Sequence, residues 1–278
     1  MPLAAIGAAL CSALIHASWN AALKGGRGDR IADSFLIAVA GLAMAVVLVL
    51  IYGAPAPAVW PLLALSVAFH LLYWITLFKS YDAGDLSHIY TLARGAAPLL
   101  VAIGAALTAN EIPAPLKAAG IALVSIGVLF VGASPNAPLR ATLWALATGL
   151  CIAAYSLTDA LGARATGNAL QFLGWATGLM ALPMIAFALW WRGGAGLLRD
   201  AGVAPLRGLA IGLVSYLGYG LVLWAQTFAP IAQVTALRET SVVFAALIAW
   251  ALLRERLGAR RWFGAAVVAV GAGLIAFG

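Results

Sequence analysis

Two arginines stand inside runs that are otherwise fit for lipid. Arg94 lies in YTLARGAAPLLVAIGAAL, Tyr90 to Leu107, and Arg238 in VTALRETSVVFAALIAWALL, Val234 to Leu253. A guanidinium is planar, always charged, and can hold a carboxylate or a phospho group through two parallel hydrogen bonds. A charged side chain in the middle of a bilayer costs at least ~2.5 kcal/mol. Paying that twice, at matching positions, points to the capture of an anionic group on a solute. The structural alternative is a buried ion pair with Glu239 or Asp159, the two intramembrane carboxylates. Burial favours a neutral carboxyl and a neighbouring arginine favours the ionised one. A carboxyl held between these pulls can exchange a proton, so Glu239 and Asp159 are candidates for proton coupling or for charge balance.

Other polar groups fall at helical spacing. His16 and Asn20 are four residues apart and share a helix face, with Trp19 beside them. His70, Tyr73 and Trp74 cluster in the third apolar run, and Tyr216, Tyr219, Trp224 and Gln226 in the eighth. Tyr155 in the sixth stands roughly where Asn20 stands in the first. The expected pocket therefore comprises Arg94, Arg238, His16, Asn20, Tyr73, Trp74, Tyr155, Tyr219 and Gln226. For any single aromatic, core packing or a place in the interfacial belt competes with that role. Pro98 removes the helical partner of the Arg94 carbonyl and predicts a kink.

These residues need a scaffold that lipid tolerates. The 278 residues are 64% hydrophobic and 9% charged, with mean hydropathy +1.03; soluble domains carry about 25% charged residues. Spans of about 20 apolar residues fit at 2–23, 34–53, 61–79, 88–109, 116–133, 141–162, 170–191, 208–228, 234–253 and 262–278. They do not alternate in polarity as barrel strands must, so the expected class is all-α, with ten transmembrane helices. The first run has no basic residue before Lys24 and reads as a span rather than a signal peptide. Arg94 and Arg238, each about two turns into its run, are expected roughly 8 Å from their helix centres, on opposite sides of the midplane.

The net charge of +7 is a topology signal, not a nucleic-acid footprint. Odd-numbered loops and their helix ends hold Lys24, Arg27, Arg30, Lys79, Arg140, Arg192, Arg199, Arg207, Arg254, Arg256, Arg260 and Arg261; even loops hold Lys117 and Arg164. The bias puts odd loops in the cytoplasm and both termini outside.

A shift of 144 residues superposes 85–132 on 229–276 without a gap, matching Thr91 to Thr235, Arg94 to Arg238, Glu111 to Glu255, Gly120 to Gly264 and Gly127 to Gly271. Lys117 then meets Arg261. The scarce Arg, Glu and Thr matches carry the weight. Five helices per copy make the copies upside down to one another: two inverted five-helix repeats, 1–135 and 136–278. Inverted repeats are frequent in secondary transporters, which bind solute near the midplane.

GDLSHIYTLARGAAPLLVAIGAALTANEIP and IAQVTALRETSVVFAALIAWALLRERLGARRWFGAAVVAVGAGLIAF, with Glu111 and Glu255 after a helix and glycines punctuating the next, resemble the EamA repeat of the drug/metabolite transporter superfamily. ALIHASWNAALK resembles that family's first helix, with Asn20 and Lys24 at its usual Asn and Lys. The resemblance implies a proton-driven or exchange carrier of small metabolites. It also implies both termini in the cytoplasm, opposite to the charge bias, which is followed here.

The expected function is secondary transport, by alternating access across a bacterial inner membrane, of a small metabolite bearing an anionic group, amino acid-like or an organic acid or phospho compound. Expected partners are a small-molecule solute, the lipid bilayer and protons, without nucleic acid, the chain being a monomer or homodimer. A carrier of amines or drug-like cations with an aromatic cage is the alternative. An intramembrane enzyme, with Asp159 and Glu239 as its acidic pair, and a membrane scaffold are rivals of other classes. No phosphate-binding GxxxxGK[ST] loop, HExxH motif or cysteine cluster occurs, and neither cofactor nor metal is expected.

Overall fold

Ten runs too apolar for water become ten helices long and apolar enough to cross a membrane. The structure is a computed structural model. It describes all residues except 25–29, 133, 135, 252–253 and 255–256, and the backbone alone at 24, 30, 86 and 87. Glu255 and Arg256 thus lie outside the described residues, as does Arg27. The helices are α1 (Leu3–Lys24), α2 (Arg30–Tyr52), α3 (Trp60–Ala83), α4 (Leu86–Thr108), α5 (Pro115–Gly132), α6 (Leu139–Thr166), α7 (Ala169–Arg192), α8 (Gly194–Ala201), α9 (Pro205–Phe228), α10 (Ile231–Arg238), α11 (Ser241–Ala251) and α12 (Ala259–Phe277). Their apolar side chains point outward as freely as inward: Leu50, Leu107 and Leu206 are each about four-fifths exposed. Such a surface needs hydrocarbon around it. The chain is a multi-pass integral membrane protein.

Helix ends that meet are always ends that a back-and-forth thread would place on one side. At the face carrying the termini, Lys117 Nζ donates to the Ile275 carbonyl (3.4 Å), and Gln171 Nε2 to that of Tyr52 (2.9 Å). At the opposite face the Ser134 amide donates to His88 Nδ1 (3.0 Å), Arg207 to the Ala22 carbonyl (2.7 Å) and Arg260 to that of Phe130 (2.6 Å). Ten alternating crossings follow, with the basic odd loops gathered on the second face.

Local sequence sets the turns. Gly167, at φ 66°, ends α6 in the left-handed conformation that glycine tolerates best, and the Asn168 side chain caps α7 by accepting from the Leu170 and Gln171 amides. Two residues therefore suffice to reverse the chain. The stretch after α7, expected as a simple link, contains the short helix α8, whose Leu197 is buried against Ala32 and Leu36 of α2.

Small residues govern the packing. α5 and α12 form the tightest pair. A Cβ added to Gly271 would sit 2.7 Å from the Gly120 carbonyl oxygen, and one added to Gly127 would sit 2.9 Å from that of Gly264. The punctuating glycines are thus the seam itself. Gly271→Ala is expected to lose about 1–3 kcal/mol of stability from overpacking, measured by chemical unfolding in mixed micelles, while Gly273→Ala, where a Cβ meets open space, changes little. Gly174 and Gly178 on α7, and Gly208 and Gly212 on α9, admit α2 in the same way.

The other main pairs are α3 with α6, α1 with α9, α4 with α6, α1 with α10 and α11, α2 with α7, α4 with α5, and α2 with α9. Exchanging spans one to five for spans six to ten maps each onto a packed pair, though α2–α9 falls on the lighter α3–α7 and α4–α5 on the lighter contacts of α10 and α11 with α12. α6 also packs against α7 and α9, whereas α1 makes no comparable contact with α2 or α3 among the described residues.

α4 carries Pro98 within one helix. The ninth span, expected as continuous, is corrected: it breaks at Glu239–Thr240. There the Glu239 and Thr240 amides reach back three residues, to Ala236 and Leu237, and the Thr240 hydroxyl also donates to the Leu237 carbonyl (2.7 Å). A hydroxyl that takes over a backbone acceptor, with tightened three-residue bonds, lets the helix stop without orphaning it.

Candidate functional site

The break sets the charges of the site. Arg238 ends α10 and Glu239 precedes α11. Cations suit a helix C-terminus and anions an N-terminus, so the two half-helices favour this order of charges at mid-depth. Discontinuous spans are the usual way for membrane carriers to bring charge to the midplane.

Glu239 is taken by the other arginine. Arg94 Nε donates to Glu239 Oε2 at 2.9 Å, with both side chains about nine-tenths or more buried. Arg94 Nη1 donates to His16 Nε2 at 3.3 Å, which fixes that nitrogen as the acceptor of a neutral ring. Arg94 and the Arg238–Glu239 break are thus joined by a side-chain contact. Arg94 lies three residues from the middle of α4, about 4–5 Å at helical rise, and reaches the break in the ninth span through Glu239. The structural alternative, a buried ion pair, is what the geometry gives for Arg94.

Arg238 is different. Its guanidinium lies over the Tyr219 ring, 5.6 Å from the centroid, it makes no salt bridge to a described residue, and its buried Nε has no hydrogen-bond partner. It lines a cavity of about 190 Å³ between α1, α3, α6, α9 and α10. His16, Tyr155 and Tyr219 line it too. His70, Trp19 and Tyr216, noted in the sequence as neighbours of pocket candidates, also face it, as do Ser12, Ile15, Ser215 and Gly218. Ser12 and Ser215 went unnoticed in the sequence; a lone serine in an apolar helix gives no signal there.

Asp159 lies behind the aromatic wall. It is fully buried and accepts a short hydrogen bond from the Tyr219 hydroxyl. His70 Nε2 stands 4.0 Å from the same carboxylate oxygen, and its ring stacks on Tyr155 at 4.1 Å between centroids. Tyr219 thus separates a cation on its face from a carboxylate at its hydroxyl.

Several expected pocket residues lie elsewhere. Gln226 is buried near the terminus-bearing face, donating to Thr235 Oγ1 at 3.1 Å. Asn20 turns back on its own helix, donating to the His16 carbonyl at 2.7 Å. Trp74 packs on Tyr73 and Phe78, and Tyr73 supports Tyr155 from behind. Trp224, half exposed, stacks on Phe228. Helical spacing alone does not distinguish a cavity face from a packed one at these five positions.

Above the cavity, toward the termini, Arg164 closes the bundle. Its Nη1 pairs with Glu111 (2.7 Å), and its other nitrogens donate to the Gln226 (2.7 Å) and Ala229 (2.9 Å) carbonyls. Glu111 in turn accepts from the Ile231 amide at 2.7 Å. This one ion pair joins α6, the end of α4 and the α9–α10 turn. The α1 residues of the cavity run from Ser12, just before the middle of that helix, to Ile15, His16 and Trp19 in the half nearer the opposite, basic face.

Ten crossings around a buried polar cavity define a multi-pass membrane protein built to hold something small within the bilayer. The model of the EamA-like transporter family matches residues 139–277, half of the chain, and the chain belongs to that family. It is accordingly a membrane transporter of small molecules. A crystal structure of another protein, 18% identical, superposes with TM-score 0.74 over 99% of this chain and 96% of its own, which shows the shared fold. No curated protein matches the sequence.

Proposed function

We propose that this transporter is a secondary carrier of a small metabolite bearing an anionic group, and that Arg238 binds that group. The observation that carries the reading is a permanently charged guanidinium on the cavity wall with an unpaired Nε and no carboxylate partner among the described residues. A buried donor without an acceptor costs about 1–3 kcal/mol, and a carboxylate or phospho oxygen relieves it. About 190 Å³ is below the roughly 300 Å³ at which drug-sized pockets begin, so the solute is small. Glu239 balances Arg94, and Asp159 balances Arg238 through Tyr219. An aromatic cage for an amine is less well supported, because Arg238 already covers one face of Tyr219.

The two halves, 1–135 and 136–278, act in this reading as inverted repeats that rock about the cavity; the exchange symmetry of the helix pairs supports it. The Arg164–Glu111 closure on one side, and the α1 lining toward the other, support a state open to the basic face. The membrane is a bacterial inner membrane with the basic loops inside. A C-terminal alkaline phosphatase fusion is expected to be active and a C-terminal green fluorescent protein fusion dark; the reverse pattern would invert the topology.

Counterflow in proteoliposomes tests the solute class. Radiolabelled pyruvate, succinate, glutamate, glycerol 3-phosphate and inorganic phosphate are each presented, with choline as the cationic control. Exchange of at least one acid and none of choline is expected. Exchange of choline alone would retire the anion reading.

A further inference from the structure

The charges at mid-depth sum to zero before any solute enters. Arg94 and Arg238 are matched by Glu239 and Asp159, and His16, accepting from Arg94, is neutral. A monoanion beside Arg238 would leave the occluded site at −1, and an uncompensated charge in the low-dielectric interior costs several kcal/mol. Resting on the anion reading above, we infer that His70 carries a compensating proton, so that one proton travels with each monoanionic group.

The geometry of the two cavity histidines separates their roles. His70 Nδ1 lies 2.9 Å from the Ser66 carbonyl, an acceptor only, so Nδ1 holds a hydrogen and donates it. The ring's remaining nitrogen, Nε2, then faces Asp159 Oδ2 at 4.0 Å. Unprotonated, that nitrogen turns a lone pair toward a carboxylate oxygen. Protonated, it turns an N–H toward it, and imidazole is the side chain whose ordinary titration falls near neutral pH. His16 has the opposite environment, a guanidinium N–H directed at its ring.

The groups around His70 are few. α6 contributes Tyr155 and Asp159, and α9 contributes Tyr219. α10 contributes Arg238 across the cavity, while α4 brings Arg94 and Tyr90, with Arg94 held by Glu239. On α3 itself Tyr73 lies one turn away, and the sole ionisable residue of α7 is Arg192, at its far end. Among the described residues, Asp159 is thus the one carboxylate set against this ring. In the transport step an O–H bond of hydronium breaks as the N–H bond forms at His70 Nε2, water is left, and the anion keeps its charge against Arg238. On the other side the N–H bond breaks, and proton and anion leave together with no net charge moved.

The test uses the full chain in proteoliposomes with an alkaline lumen, one pH unit across the membrane, and the radiolabelled acid of the panel above that gives the largest counterflow. One proton per monoanion predicts about tenfold accumulation. In wild type, counterflow is expected to rise when both sides are acidified. In His70→Gln the accumulation ratio is expected to fall to near one, and the remaining counterflow, lowered because the anion enters uncompensated, is expected to lose that pH dependence; where it is too low to follow, the nitrogen NMR below decides. Accumulation undiminished in that variant overturns the inference, as does remaining counterflow that keeps the wild-type pH dependence, which would make His70 a solute ligand alone. Failure of every acid in wild-type counterflow would count against the anion reading, separately. The proton site then stands on a second readout: nitrogen NMR of histidine-labelled wild type in nanodiscs. Under the acidic condition of the transport assay His70 is expected to show a ring protonated on both nitrogens, its Nε2–H directed at Asp159, and His16 a ring protonated on one; a His70 ring protonated on one nitrogen alone overturns the inference.

Discussion

Arg238→Ala is expected to raise the half-saturating concentration of the transported acid between about 10-fold and about 150-fold. That is the loss of one hydrogen-bonded ionic contact worth about 1.5–3 kcal/mol. Because Arg238 makes no salt bridge to a described residue and contributes only a cation–π contact with Tyr219, the folded state is expected to change by no more than about 1 kcal/mol. Arg238→Lys keeps the charge but loses the planar fork, so it should fall between wild type and alanine. The measurements are concentration-dependent counterflow and thermal melting of the purified protein. Unaltered saturation in Arg238→Ala would remove the anion site from this cavity.

The matched arginine in the first half should behave in the opposite way. Arg94→Ala leaves the Glu239 carboxylate buried without its partner, and breaking a buried pair from one side typically costs about 3–5 kcal/mol. The expected result is a protein that melts far earlier or fails to accumulate in the membrane. Arg94→Met combined with Glu239→Leu removes both charges and is expected to recover most of that loss. If Arg94→Ala instead folds as well as wild type and loses transport, Arg94 is a solute ligand and the pair is not structural.

This contrast bears on what a sequence can reveal. The ten spans were legible because lipid demands about twenty apolar residues per crossing, a local property. The register of Arg94 with Arg238 was legible as a fixed offset of 144 residues in the sequence. Their different fates were not, since nothing in the offset says that the ninth span breaks at Thr240 while the fourth continues through Pro98. Proline in a span is the stronger textual cue, yet a threonine hydroxyl able to take over a carbonyl made the actual break. Among the polar residues, helical spacing named the right helices and only some of the right faces: His16, Tyr155 and Tyr219 reach the cavity, whereas Asn20 and Gln226 satisfy themselves within the bundle. Which face of a span turns inward depends on its neighbours, and neighbours are not written in the span.

The divided ninth span also has a consequence for biogenesis. Its two charged residues at the break would each cost ~2.5–3.5 kcal/mol in an isolated helix at the membrane centre, and a two-residue interruption weakens it further. Such a segment has little tendency to partition alone as it leaves the translocon. α1 and α4, which supply its surroundings and the partner of Glu239, are synthesised well before it. The ninth span is therefore expected to enter the bilayer against α1 and α4 already in place, which would act as an intramolecular insertion platform for it.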